Sequence, residues 1–259
     1  MLIDSHAHLD APYFRNKLPD VLQRARQAGI QKVITIGVTP SSSRNSLQIA
    51  AQHASVYATV GYHPHWAAGA TADRLDQAAQ MARDPAAVAL GEIGLDYYRL
   101  RSPKQDQIAL FGSMLEIAVA VHLPVIIHDR QAHADVYETL RGFRAKLAGG
   151  IIHCFSGDWN LARKYLDWGF FLSIPGPVTY PRSRELREVA QKAPLNRLLV
   201  ETDAPHLTPA QRKGRQNEPA FVRYTAQEVA RLRNIALEEV ARATTENVYQ
   251  AFHFPAGEH

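Results

Sequence analysis

Eight short runs of apolar and β-branched residues recur along the chain, each followed by an amphipathic or polar stretch, and this alternation constrains the fold more than any other feature. The runs cover residues 2–6, 32–37, 56–61, 87–92, 124–128, 150–154, 170–174 and 198–203. They are apolar on both faces, as strands covered on both sides must be. Between them the spacing turns helical. Ile108, Phe111, Leu115 and Val119 follow one helix face, as do Leu161, Tyr165 and Trp168, and more briefly Leu186, Val189 and Ala190. Gly29 and Gly169 stand where helices before the second and seventh strands should end. Glu218-Pro219 marks a helix start, and a last helix runs through Leu237, Val240, Ala241 and Val248. Strands alternating with helices in 259 residues predict an α/β protein, a (β/α)8 TIM barrel forming a single domain over residues 1–259. An open doubly wound sheet would carry a Gly-rich loop after its first strand, but that run ends in His6-Ala7-His8.

Other classes are excluded by content. One cysteine, Cys154, cannot form an internal disulfide, and no apolar run reaches the roughly 18 residues that span a bilayer. The opening Met-Leu-Ile-Asp-Ser-His is not a basic-then-apolar leader, so a cytoplasmic protein is expected. The net charge of +4 is spread over predicted helices and reads as solvated surface. Without a heptad or apolar stripe, the expected state is a monomer. The chain is rich in histidine, with 12.

In a (β/α)8 barrel, catalytic groups sit at the C-terminal ends of the strands. Reading those ends yields His6 and His8 from the first strand, Glu92 from the fourth, His128 from the fifth, His153 from the sixth and Asp203 from the eighth, with His63 and His65 just past the third. His6 and His8 are two apart, so in an extended segment both imidazoles face one side and can grip one ion. Glu92 closes an apolar run, where a carboxylate needs a cation. Its two oxygens could serve two ions, and the pair His128 and His153 makes a second ion site plausible. Asp203 could ligate, act as general base toward an activated water, or do both. Six His and carboxylate donors of this kind describe a two-metal hydrolytic site. Cys154 adjoins His153 and would face the other way, and no Gly-x-Ser-x-Gly elbow or phosphate-binding Gly-Lys loop is present.

Several segments together resemble the TatD family of metal-dependent DNases, barrels of the amidohydrolase superfamily. They are residues 4–10 (DSHAHLD), 61–65 (GYHPH), 91–98 (GEIGLDYY), 124–130, 153–157 (HCFSG) and 201–205 (ETDAP). The resemblance implies two divalent cations (zinc, manganese or magnesium). His6, His8, Glu92 and Asp203 would hold one, and Glu92, His128 and His153 the other, with Glu92 bridging. It implies a metal-activated water attacking phosphorus while Asp203 takes its proton, and a single-stranded DNA substrate degraded from its 3′ end. His63, His65, Arg130, Arg215 and Asn217 would contact substrate. Where the family often reads Gly-Lys-Arg-Asn-Glu-Pro, this chain has Gly214-Arg215-Gln216-Asn217-Glu218-Pro219, so Gln216 replaces one basic residue. The same metals and water would also serve an amidohydrolase or esterase acting on a small molecule or an aminoacyl ester. A purely structural ion would favour a closed, Cys-rich site instead.

Overall fold

Each predicted apolar run forms a strand, because β-branched side chains pack well on a pleated surface covered on both faces. The computed structural model describes residues 1–254, so the last five residues of the expected domain lie outside the described part. The order is β1 (Leu2–Ala7), α1 (Leu18–Gln27), β2 (Ile30–Thr35), α2 (Pro40–Gln52), β3 (Val56–Val60), α3 (Ala72–Met81), β4 (Ala87–Asp96) and α4 (Lys104–Val121). It continues with β5 (Val125–Arg130), α5 (His133–Phe143), β6 (Gly150–Ile152), α6 (Trp159–Asp167), β7 (Phe171–Ile174), α7 (Arg184–Lys192), β8 (Leu198–Val200), α8 (Val222–Arg233) and α9 (Leu237–Ala251). The strands follow sequence order in one eight-stranded sheet, and the fold class is the (β/α)8 barrel. Among the described residues no helix is long and apolar enough to cross a membrane.

The chain divides into two compact units, residues 36–153 and residues 1–35 with 154–259. In the discontinuous unit, β1 pairs in parallel with β2 (Leu2 opposite Ile30, Ala7 opposite Thr35) and β7 with β8 (Ile174 opposite Val200). Past β8 the chain returns to β1, where Ala7 bridges Ala204. Helix α9 is fastened by Asn247, whose amide donates to the carbonyls of Leu195 and Leu198 at 2.8 Å each. Gly29 and Gly169 do end helices, at φ +83° and +80°, where a side chain would be strained.

In the continuous unit, β4 pairs with β3 and β5, and β5 with β6, all in parallel. Strand β4 is longer than the sequence pattern suggested: it passes Glu92 and ends at Asp96, opposite Arg130. Gly94 permits this. At φ +138°, it lies so close to the His128 carbonyl that a Cβ would collide with backbone. Gly94→Ala is therefore expected to destabilise the protein by at least about 1–3 kcal/mol, as overpacking does, and to shift the end of β5. Chemical denaturation of the variant checks this, and an unchanged midpoint would count against the close approach.

Helix α4 also departs from expectation. Its buried stripe is Gln107, Leu110, Phe111, Met114, Leu115 and Ala118, while Ile108 is 40% exposed. The register is rotated because Gln107 is needed inside. Its amide donates to the carbonyls of Asp96 and Ser102, and its oxygen accepts from Asp96 N–H at 2.8 Å. Pro219 opens a 3₁₀ turn through Phe221, and α8 starts after it.

Candidate metal and hydrolytic centre

Strands β6 and β8 are only three residues long, so His153 and Asp203 lie just beyond them. Both strands are left through non-glycine residues in the left-handed region, Cys154 at φ 47° and Asp203 at φ 56°. Such backbone is costly for a residue with a Cβ and is concentrated at functional sites. Alternation therefore stops before Cys154, and its N–H donates to Glu201 Oε1 at 2.9 Å.

The discontinuous unit gathers His6, His8 and Asp203, whose ligand atoms lie within 4.8 Å of one another. Asp203 Oδ1 is 3.2 Å from His8 Nε2 and 3.7 Å from His6 Nε2. The backbone sets this arrangement: Asp203 N–H donates to the His6 carbonyl at 2.9 Å, and His8 N–H to the Ala204 carbonyl at 2.7 Å. A second layer secures the turn. Asp4 is fully buried and accepts from Thr202 N–H at 2.9 Å and from Thr202 Oγ1–H at 2.6 Å. Burial pushes its carboxyl up to about 8, against the lowering effect of Thr202. A neutral side chain of the same shape should therefore serve. Asp4→Asn is expected to keep the thermal midpoint near its original value. Asp4→Ala leaves Thr202 N–H without its acceptor and costs about 1–3 kcal/mol. Equal midpoints for the two variants in thermal unfolding would contradict this.

The continuous unit gathers imidazoles around Glu92, which is 2% exposed. Glu92 Oε1 lies 2.6 Å from His128 Nδ1, 3.4 Å from His63 Nε2 and 3.4 Å from His153 Nε2. His63, Glu92 and His128 form a second group able to hold an ion. His63 is thus closer to the carboxylate than a purely substrate-facing residue need be, and its Nδ1 accepts from His65 N–H at 3.1 Å. Burial lowers the His63 pKa to about 4, so at neutral pH the ring is neutral, its Nδ1 lone pair taken by His65 N–H and its Nε2–H turned toward Glu92. Burial also opposes charge on His128, but hydrogen bonds to Asp96 and Glu92 override it and hold the ring up to about 10. Two carboxylates facing one imidazole make this a place that favours positive charge.

Asp96 is the group that strand-end reading missed. Its Oδ2 lies 2.8 Å from His65 Nε2 and 3.2 Å from His128 Nε2, and its Oδ1 accepts from Arg99 N–H at 2.7 Å. Burial works against its ionisation, yet these bonds, His128 foremost, hold it below the usual carboxylate range. The signal was available: residues 92, 94 and 96 share one face of a strand, so a β4 extended by four residues puts both acids together.

The remaining candidates separate. Arg130 is exposed, its guanidinium 4.3 Å from the centre of the Tyr98 ring. Arg215 is exposed on the loop after β8, where its carbonyl accepts from Thr208 Oγ1–H at 3.0 Å. Asn217 is fully buried, its amide donating to the carbonyls of Thr202 and His206 and its oxygen accepting from Glu218 N–H. In that position it braces the turn that carries Asp203.

Neutral imidazoles and carboxylates suit zinc, manganese and related divalent ions. Both donor groups fit such a cation: one has two imidazoles and a carboxylate, and in the other three imidazoles surround one carboxylate oxygen, where a bound cation would replace the proton that His128 holds against Glu92.

The sequence signature of TatD related DNases matches residues 3–253. The chain is 37% identical over 252 residues to the uncharacterized metal-dependent hydrolase YabD of Bacillus subtilis, covering 97% of this chain and 99% of that one. It is 34% identical over 257 residues to the 3′-5′ ssDNA/RNA exonuclease TatD of Erwinia amylovora, covering 97% and 99%. The crystal structure of YJJV, a TatD homolog from Escherichia coli K12, superposes with a TM-score of 0.93 at 32% identity, covering 98% of each chain.

Proposed function

Since the chain belongs to the TatD-related DNase family and is a metal-dependent hydrolase, we propose that it cleaves phosphodiester bonds of single-stranded nucleic acid from the 3′ end. The observation that carries this reading is the pair of imidazole and carboxylate donor groups, His6, His8 and Asp203 in one unit and Glu92, His63, His128 and His153 in the other. The name of the Erwinia relative supports the substrate class.

His6, His8 and Asp203 would hold one divalent cation, and Glu92, His128 and His153 a second. Such ions, when bound, lower the pKa of water and polarise phosphoryl oxygens. Asp203 takes the proton of the attacking water, since its carboxylate is partly exposed at the end of a strand. Asp4, Thr202 and Asn217 keep it there through the backbone. Asp96 holds Nε2 of His128, which fixes the imidazole plane and turns Nδ1 toward Glu92 and the cation the two would share. His63 and His65, with Arg130 and Arg215, meet the phosphates. The proposal extends to a cytoplasmic, monomeric, single-domain protein with zinc among its competent ions. The single cysteine supports the compartment and the histidine-rich donors support the ion.

The test is digestion of a 3′-labelled single-stranded oligonucleotide by chelator-stripped protein given magnesium, manganese or zinc in turn. The expected result is shortening from the 3′ end restored by at least one ion. No shortening with any ion, in protein shown to bind metal, would overturn the nuclease reading.

A further inference from the structure

We infer that Tyr98, backed by Arg130 and with Leu100 exposed on the same loop and Trp66 on the neighbouring one, is a stacking platform for the bases of a single-stranded nucleic acid. This rests on the proposed function and deepens it, because the groups already described act on phosphates and leave the bases without a receptor.

Large apolar side chains are rarely left in water without reason when they cluster. Among the described residues, the exposed large ones are Met1, Tyr13, Trp66, Tyr98, Leu100 and Ile108, and three of these lie on two neighbouring loops of the continuous unit. Tyr98 is 57% exposed, Trp66 51% and Leu100 49%. The loops are tied together: Ser102 Oγ donates to the His65 carbonyl at 3.0 Å and accepts from Ala68 N–H at 3.0 Å. They are tied to the candidate centre as well, since Asp96 accepts from Arg99 N–H and contacts His65 Nε2.

The two tyrosines of the loop are treated differently. Tyr97 is engaged, its hydroxyl donating to Asp135 at 2.6 Å and its ring lying 4.1 Å beneath Lys104 Nζ. Tyr98 has Arg130 against one face and is 57% exposed. Leu100 has a left-handed backbone, at φ 45°, a conformation a leucine adopts only when its surroundings hold it there.

Charge identifies the occupant. Residues 97–104 carry Arg99, Arg101 and Lys104 and no carboxylate. Two acids beside it are engaged, Asp96 with His65 and His128, and Asp135 with Tyr97. An aromatic face beside several cations suits a flexible polyanion that carries flat rings. Single-stranded nucleic acid fits this description, because every base has a π-face and every linkage a charge. A duplex hides its bases and would not use the ring.

The experiment measures binding of short single-stranded oligonucleotides with non-hydrolysable phosphorothioate linkages to the metal-loaded protein. One carries bases and a second of equal length is abasic. Tyr98→Ala is expected to weaken the base-bearing strand about tenfold, the size of one lost stack, and the abasic strand less than about twofold, with Tyr98→Phe restoring affinity. Equal loss on both strands, or no loss, overturns the platform. A second readout uses the unaltered protein: 2-aminopurine replaces one base at a time, and stacking quenches its emission on binding. No quench at any position overturns the platform too. If the wild-type protein neither binds nor shortens the natural strand, the nuclease reading falls and the platform with it. If it shortens the strand while Tyr98→Ala binds as tightly as wild type, only the platform falls.

Discussion

Asp203→Asn is expected to reduce hydrolysis by about 10²–10⁴-fold, the loss typical of a missing general base, while metal is retained in part. Asparagine keeps an oxygen where Asp203 Oδ1 now lies 3.2 Å from His8 Nε2. It also keeps the backbone N–H that donates to the His6 carbonyl. What it loses is the ability to take a proton. Single-turnover hydrolysis of the labelled strand, set beside metal analysis of the same preparation, separates the two roles. Near-normal turnover would remove Asp203 from proton transfer. Loss of all metal with loss of activity would make it a ligand first.

The second large effect is expected from His128→Ala. His128 makes the shortest contact to Glu92, at 2.6 Å, and its other nitrogen faces Asp96 at 3.2 Å. Truncating it leaves two buried carboxylates facing each other across a gap. The ion proposed for Glu92, His128 and His153 should be lost, and the one proposed for His6, His8 and Asp203 should remain. Activity should fall by more than the roughly 10–100-fold usual for a group standing behind a ligand. Metal analysis showing loss of every ion, or of none, would contradict two separable sites.

Much of this was legible in the sequence because apolar runs and strands share a physical cause. All eight runs became strands, and the polar residues that close four of them, His6, Glu92, His128 and Asp203, fall in groups able to hold an ion. Strand ends were less legible, since they depend on pairing with neighbours. Nothing local shows that β4 continues to Asp96 opposite Arg130, or that β8 stops at Val200. The roles of buried polar residues were hidden for a related reason. Asp4, Gln107, Glu201 and Asn217 look like surface residues in composition, yet each hydrogen-bonds backbone groups distant in sequence. Ile108 shows the converse. Its spacing placed it on the inner face of α4, but the demand of Asp96 for Gln107 rotated it outward.

The division of the chain into one uninterrupted unit and one split unit sets an order of assembly during translation. Residues 36–153 emerge as a continuous stretch that contains all of β3 to β6 and the imidazoles around Glu92, so every residue of this unit is present before Cys154 is added. His6 and His8 leave the ribosome first but wait for a partner 195 residues behind His8. Until Asp203 has been synthesised and turned back onto β1, the nascent chain lacks the carboxylate proposed to take the proton from water. A product that stops before that point lacks one of the three residues of the His6, His8 and Asp203 group, so hydrolysis by the proposed route waits until translation is nearly finished.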